Sequence, residues 1–290
     1  MPRKSTIFKR LFVLALALAA NASAQQPSPA ELRPFPPFRI AGNLYYVGSA
    51  DLANYLVVTP AGNILINSDF PANLPLIKGS IEKLGFKFGD TKILLISHAH
   101  DDHDSGSAAV IRETGAKYMV MDADVPVVES GGKADFQYGA TVRYAPAKVD
   151  RVLHDGDEVA LGGTTLVAHL TPGHTKGCTT WTMKVSDTGN IYDVVIIGSP
   201  NINPGYKLVD NPAYPQIAQD YERTWSVLKS LPCDIFLGAH GSYFDLEEKY
   251  ARMKPGAPNP FIDPDGYKAY VAHKERDFYA ELAKQQAAAN

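Results

Sequence analysis

The chain has 290 residues, with 28 lysines and arginines against 31 aspartates and glutamates, a formal net charge of −3, and two cysteines, Cys178 and Cys233. A chain of this length can bury a full α/β core, and its mild acidity excludes the basic surface that nucleic acid or an anionic membrane would need. Two cysteines exclude a disulfide framework and leave open whether they pair.

The first segment reads as a secretory signal peptide, residues 1–24. Arg3, Lys4, Lys9 and Arg10 precede the apolar run Leu11 to Ala20, and Ala22-Ser23-Ala24 is a small-residue cleavage pattern. Ten apolar residues are too few to span a bilayer, which needs about 20. Cleavage near Ala24 would leave an exported, periplasmic domain, residues 25–290, with no membrane span. Loss of four positive charges takes its formal charge from −3 to −7.

After a proline-rich lead, Leu44–Gly48, Tyr55–Val58 and Ile64–Ser68 are short strand-like runs that suggest a meander. Asn73 to Leu84 carries apolar residues at helical spacing and stops at Gly85. Ile93–Ile96 is a buried strand, a helix runs from Asp104 or Ser105 to about Thr114, and Tyr118–Met121 is the next strand. In the second half, strands at Glu158–Leu161, Thr164–Leu170, Thr179–Val185 and Tyr192–Ile197 lead to a helix from Pro215 to Leu231. The strand Asp234–Leu237 and an amphipathic helix from Gly266 to Ala283 complete the chain. Groups of strands with helices between and after them favour two sheets face to face with helices outside.

The strand Ile93–Ile96 delivers the densest chemistry in the sequence, His98-Ala99-His100-Asp101-Asp102-His103. In an extended segment His98, His100 and Asp102 share one face, and Asp101 points away from Asp102 toward solvent or behind the ligands. Imidazole and carboxylate without thiolate are zinc ligands. His174, in the turn Thr171-Pro172-Gly173-His174-Thr175, and His240, in Gly238-Ala239-His240-Gly241, also follow strands. Counting gives His98, His100 and His174 for one ion, and Asp102, His103 and His240 for another. Three protein ligands each is the open, catalytic pattern, which leaves a position for water or substrate.

These motifs resemble the metallo-β-lactamase superfamily over nearly all of the mature chain. The segments Asn203-Pro204-Gly205-Tyr206-Lys207-Leu208 and Leu231-Pro232-Cys233-Asp234 make it similar to class B enzymes of the third subclass. The resemblance implies an αββα four-layer sandwich, two Zn²⁺, and hydrolysis of the β-lactam amide bond of penicillins, cephalosporins and carbapenems by a metal-bound hydroxide, conferring antibiotic resistance. Asp102 is the candidate catalytic residue as well as a ligand. Thioesterases and lactonases of the superfamily carry a further aspartate bridging the metals, whereas this chain reads Ile196-Ile197-Gly198-Ser199-Pro200. Ser199 matches the third subclass. Asp104 and Ser105 replace the small residues common after the last histidine of the motif, while Gly106 is retained.

Ser199, Asn201 and Asn203 are the candidate substrate contacts, with turn formation before Pro204-Gly205 as the competing explanation. His154, His169 and His273 read as structural. The pairs Ser80/Lys83 and Ser226/Lys229 satisfy Ser-x-x-Lys, but the Ser-Asp-Asn and Lys-Thr-Gly partners of serine β-lactamases are missing. The expected partner is a β-lactam acted on by a monomer, and not nucleic acid. Two alternatives stand beside this: another exported metallohydrolase of the superfamily, lactonase or thioesterase, and a non-catalytic periplasmic zinc-binding protein.

Overall fold

The computed structural model describes residues 27–289, so the signal-peptide segment lies outside the described residues. In chain order the elements are α1 (Pro29–Leu32), β1 (Phe38–Ala41), β2 (Leu44–Tyr46), β3 (Tyr55–Thr59), β4 (Gly62–Ile66), α2 (Leu74–Lys83), β5 (Thr91–Leu95), α3 (Asp101–Asp104), α4 (Ser107–Thr114), β6 (Lys117–Met121) and α5 (Val125–Glu129). There follow β7 (Arg151–Leu153), β8 (Glu158–Leu161), β9 (Thr164–Leu170), β10 (Thr179–Asp187), β11 (Asn190–Ile197), α6 (Ile217–Ser230), β12 (Ile235–Gly238), α7 (Leu246–Arg252) and α8 (Pro264–Ala289).

Strands β1 to β7 form one sheet in sequence order, and β12-β11-β10-β9-β8 form the second. The first is an antiparallel meander through β4 and parallel from β4 to β7. The expected meander and face-to-face sheets are what the chain builds. The inner faces meet in one core that includes Tyr55, Ile66, Leu95, Trp181 and Ile196. A second cluster, with Leu65, Leu94, Ile77, Ile81 and Val110, packs α2 and α4 on the outside of the first sheet. On the other side Trp225 of α6 and Phe278 of α8 stack with Tyr221. The result is the expected αββα sandwich, and no helix among the described residues is long and apolar enough to cross a membrane.

Two stretches depart from the sequence reading. The expected helix from Asp104 or Ser105 is two helices: a single turn α3, starting at Asp101, and then α4, which ends where Gly115 adopts φ 69°. Gly106 joins them because a Cβ there would lie 2.4 Å from the Ser68 carbonyl oxygen. The last helix also runs on to Ala289. Strands β1 and β7, four and three residues long, were not expected; each is defined by pairing with its neighbour.

Candidate metal centre

The site lies where β5, β9, β11 and β12 end and their loops converge. Strand β5 ends at Leu95, and the following segment is tied down on both sides. The Ser97 amide donates to Asn67 Oδ1 (2.8 Å), and the Thr179 amide donates to the Ser97 carbonyl (2.7 Å). His98 and His100 follow in this anchored segment. The chain then does not stay extended as expected. The amides of His103 and Asp104 both donate to the His100 carbonyl (3.1 and 2.9 Å), which closes the turn α3. Asp102 therefore leaves the face of His98 and His100 and joins His103 on a separate set of donor atoms. Asp101 is half-buried in the wall of the same pocket, not turned out to solvent, and burial with the Asp102 charge pushes its carboxyl up to about 6.

His100 Nδ1 and His174 Nε2 are 3.1 Å apart, and the donor atoms of His98, His100 and His174 all fall within 4.8 Å of one another. In the second set Asp102 Oδ2 is 3.2 Å from His103 Nε2 and 3.6 Å from His240 Nε2, and the two Nε2 atoms are 3.1 Å apart. Zinc–nitrogen bonds of 2.0–2.1 Å in a tetrahedron put ligand atoms about 3.3 Å apart, so the His100–His174 pair and the second set stand close to ligand spacing. His98, Asp102 and His103 also come within 4.8 Å, which sets the two groups side by side. His98 Nε2 is buried with no hydrogen-bond partner. A buried nitrogen left without a partner is costly unless something binds it. All six expected ligands are brought together, and the donor set fits two zinc ions.

Ring nitrogens pointing away from the centre meet partners of their own, and acceptors fix the tautomers of His174 and His240. His98 Nδ1 meets Ser97 Oγ at 3.0 Å, His174 Nδ1 donates to the Asn201 carbonyl at 2.8 Å, and His240 Nδ1 donates to Asp51 Oδ2 at 2.9 Å. His100 turns Nε2 toward Asp135 Oδ2 (3.6 Å) and Tyr206 Oη (3.5 Å). Burial, followed by the charges of neighbouring imidazoles, drives His98 and His174 well below the usual histidine range. Burial also lowers His103, outweighing the opposite pull of Asp102. His240 is raised, because the hydrogen bond to Asp51 and the Asp102 charge overcome burial. Burial works to raise Asp102 too, but His103, His240 and His100 hold its carboxyl far below the ordinary range.

Three acidic residues supporting the centre were missed from the sequence. Asp51 receives His240 Nδ1–H and the Ser242 amide (3.0 Å), and stands with Glu31 and His240 in a third close group. Asp124, fully buried, accepts the Ala99 amide (3.0 Å), Thr175 Oγ1–H (2.8 Å) and the Gly177 amide (2.8 Å), so one carboxylate joins the His98–His100 segment to the His174 turn. It follows β6, so the strand-end reasoning that located His174 and His240 could have found it. Asp135 faces His100 while accepting the Gln137 amide at 2.8 Å.

The candidate substrate contacts occupy unequal positions. Asn201 and Asn203 line a pocket of about 500 Å³ together with His100, Asp102, His174 and His240. Asn201 Nδ2 donates to Tyr243 Oη (2.8 Å) and Asn203 Nδ2 to Tyr138 Oη (3.1 Å). Ser199 is buried beneath them, its Oγ 3.0 Å from Tyr243 Oη, so it reaches the pocket through that tyrosine. Asp104 is buried among Tyr118, whose hydroxyl donates to it, and Ser107 (2.7 Å). Cys178 and Cys233 are free; Cys178 accepts the Ser199 amide, and burial pushes its thiol up to about 12. His169 binds Thr182, while His154 and His273 are exposed. Ser80 is buried within α2, and neither Ser80 nor Ser226 lines the pocket.

A sequence profile of the Metallo-beta-lactamase superfamily matches residues 53–240. Among solved structures, the native FEZ-1 metallo-beta-lactamase from Legionella gormanii is 62% identical, covering 90% of this chain and 99% of that one, with a TM-score of 0.87. The class B3 di-zinc metallo-beta-lactamase LRA-12 from an Alaskan soil metagenome is 38% identical over 89% of this chain and 98% of its own, with a TM-score of 0.84. A hydroxyacylglutathione hydrolase of Rhodopseudomonas palustris is 28% identical over 126 residues, 43% of this chain and 40% of the relative. The chain spans less than half the length of the first curated relatives it matches.

Proposed function

Because the chain belongs to the metallo-beta-lactamase superfamily, we propose that it is a metallo-β-lactamase of subclass B3, a periplasmic monomer that hydrolyses penicillins, cephalosporins and carbapenems and so confers resistance. The observation that carries this is the pair of donor sets: His98, His100 and His174 beside Asp102, His103 and His240, each with three ligands and both opening on one pocket. The side chains would hold two zinc ions, as in the di-zinc relative.

When bound, the ions would polarise the lactam carbonyl and bring a water molecule's pKa from 15.7 toward about 7, so that no acyl-enzyme is needed. The protein's own part is to place and orient. Asp102 keeps its carboxylate ionised beside His103, His240 and His100, the form in which a carboxylate binds metal. The pocket of about 500 Å³ suits a bicyclic small molecule. Asn201 and Asn203 present amides from its wall, tethered by Tyr243 and Tyr138, where they can meet the carboxylate that every β-lactam of this kind carries. Phe70 and Val142 supply apolar surface for its side chains.

A thioesterase or lactonase of the same fold is disfavoured at Ser199. The superfamily's bridging aspartate is replaced there by a hydroxyl that faces Tyr243. The mature protein, loaded with zinc, is to be assayed on a carbapenem, a penicillin, an acyl lactone and a thioester, with and without a chelator. Chelator-sensitive turnover of the β-lactams is expected; hydrolysis of only the lactone or thioester would replace this reading, and hydrolysis of none would leave a zinc-binding protein.

A further inference from the structure

Helix α8 buries Tyr267, Val271 and Phe278. The second and third of these follow Tyr267 by four and eleven residues, close to whole numbers of 3.6-residue turns. Gln285, eighteen residues after Tyr267, falls on the same inward face. Its amide is used twice on the backbone of the loop that carries Tyr206. The Leu208 N–H donates to Gln285 Oε1 (2.7 Å), and Gln285 Nε2 donates to the Tyr206 carbonyl (2.9 Å). Glu281 Oε1 accepts a further bond from Nε2 (2.9 Å), which fixes the amide's orientation.

Tyr206 and Leu208 of this loop are buried in the core that also holds Phe278 of α8. A cleft of about 540 Å³ separates residues 200–206 from Lys274, Asp277, Glu281 and Lys284 of α8. On its other side the same loop touches the centre: Tyr206 Oη donates to the His174 carbonyl (2.7 Å) and lies 3.5 Å from His100 Nε2, while Asn201 and Asn203 line the pocket. A segment bordered by an open cleft opens locally at lower cost than one packed on both sides, unless it is tied.

We propose that Gln285 is a positioning residue for the hydrolysis: the C-terminal helix braces the 203–208 loop, and so holds Tyr206 against His174 and His100 and keeps Asn203 at the pocket wall. This rests on the β-lactamase reading for its kinetic consequence, but not for its structural one. In the zinc-loaded full chain, Gln285→Ala raises KM for a penicillin about tenfold with kcat and zinc content within about twofold of wild type. The Tyr206 amide, which donates within the loop to the Asn203 carbonyl (3.0 Å), exchanges its hydrogen about tenfold faster. Tyr267→Phe, which loses the bond from Tyr267 Oη to the Leu228 carbonyl (2.6 Å) elsewhere on α8, lowers Tm and leaves KM unchanged. The brace is refuted if Tyr206 exchange in Gln285→Ala equals wild type, or if Gln285→Ala and Tyr267→Phe alter Tm alike with KM untouched. Should the wild-type protein hydrolyse no β-lactam, the proposed activity fails and the exchange comparison alone decides the brace.

Discussion

His103 Nε2 and His240 Nε2 lie 3.1 Å apart although 137 residues separate them, and Asp102 Oδ2 lies 3.2 Å from the first and 3.6 Å from the second. Two ring nitrogens turned toward each other beside an ionised carboxylate make a poor hydrogen-bonding arrangement and a good ligand set. The turn α3 supplies two of these groups and the end of β12 the third, so the site depends on both sheets being in register.

The ligand count makes the first prediction. His174→Ala and Asp102→Ala each lower tightly held zinc from two per chain toward one. Each also reduces kcat/KM by more than the 10–100-fold typical of losing a supporting group. His273→Ala, on the exposed face of α8, changes neither. Metal analysis after dialysis checks this, and two retained zincs in Asp102→Ala would remove Asp102 from the ligand set.

Asp51 is predicted to act through His240. Asp51→Ala leaves all six ligands in place but frees the imidazole to rotate, which weakens zinc at the second set by about 10–100-fold. Competition with a zinc chromophore measures the affinity of each ion separately. Loss at the first set with the second intact would contradict the assignment.

Asp124 predicts a pH dependence of the metal-free fold. Burial raises its carboxyl to about 6 against the hydrogen bonds from Thr175, Gly177 and Ala99. The folded state therefore binds this proton more tightly than the unfolded state does. Its contribution to stability is full below about pH 4 and is lost as pH rises through about 6, some 3 kcal/mol in all. Asp124→Asn lacks this slope. Urea unfolding of both proteins from pH 4 to 7 should show the variant's deficit shrinking as pH rises; a growing deficit would mean the carboxylate is stabilised when charged.

Tyr243 and Ser199 separate direct from indirect contact with substrate. Tyr243→Phe releases Asn201 and raises KM about fivefold, the equivalent of one hydrogen bond. Ser199→Ala has a smaller effect, since Ser199 reaches the pocket through Tyr243. The larger loss in Ser199→Ala would place that hydroxyl on the substrate itself.

The ligand histidines were legible because each follows an apolar strand, and strand ends are where a sandwich collects its loops. Asp102 was legible as a ligand but not in its geometry. Counting assigned it with His103 and His240, but alternation along an extended chain placed it on the face of His98 and His100, whereas the His100 carbonyl captures two amides and winds the segment into a helical turn. The supporting acids were hidden for a different reason. No local pattern marks Asp51, which meets His240 across 189 residues; Asp124 stands after a strand, but its bond to Gly177, 53 residues away, shows only in the fold. Gln285 lay beyond the expected end at Ala283, because a polar residue on the inward face reads as the end of an amphipathic helix until its partners on the loop are seen.

The most direct test is to titrate zinc into the metal-free protein while recording bound metal and carbapenem hydrolysis together. The predicted result is no turnover without metal and activity that rises to a plateau at two zincs per chain, abolished by a chelator and untouched by inhibitors that acylate serine. Turnover in the metal-free protein, or none at full zinc occupancy, would contradict it.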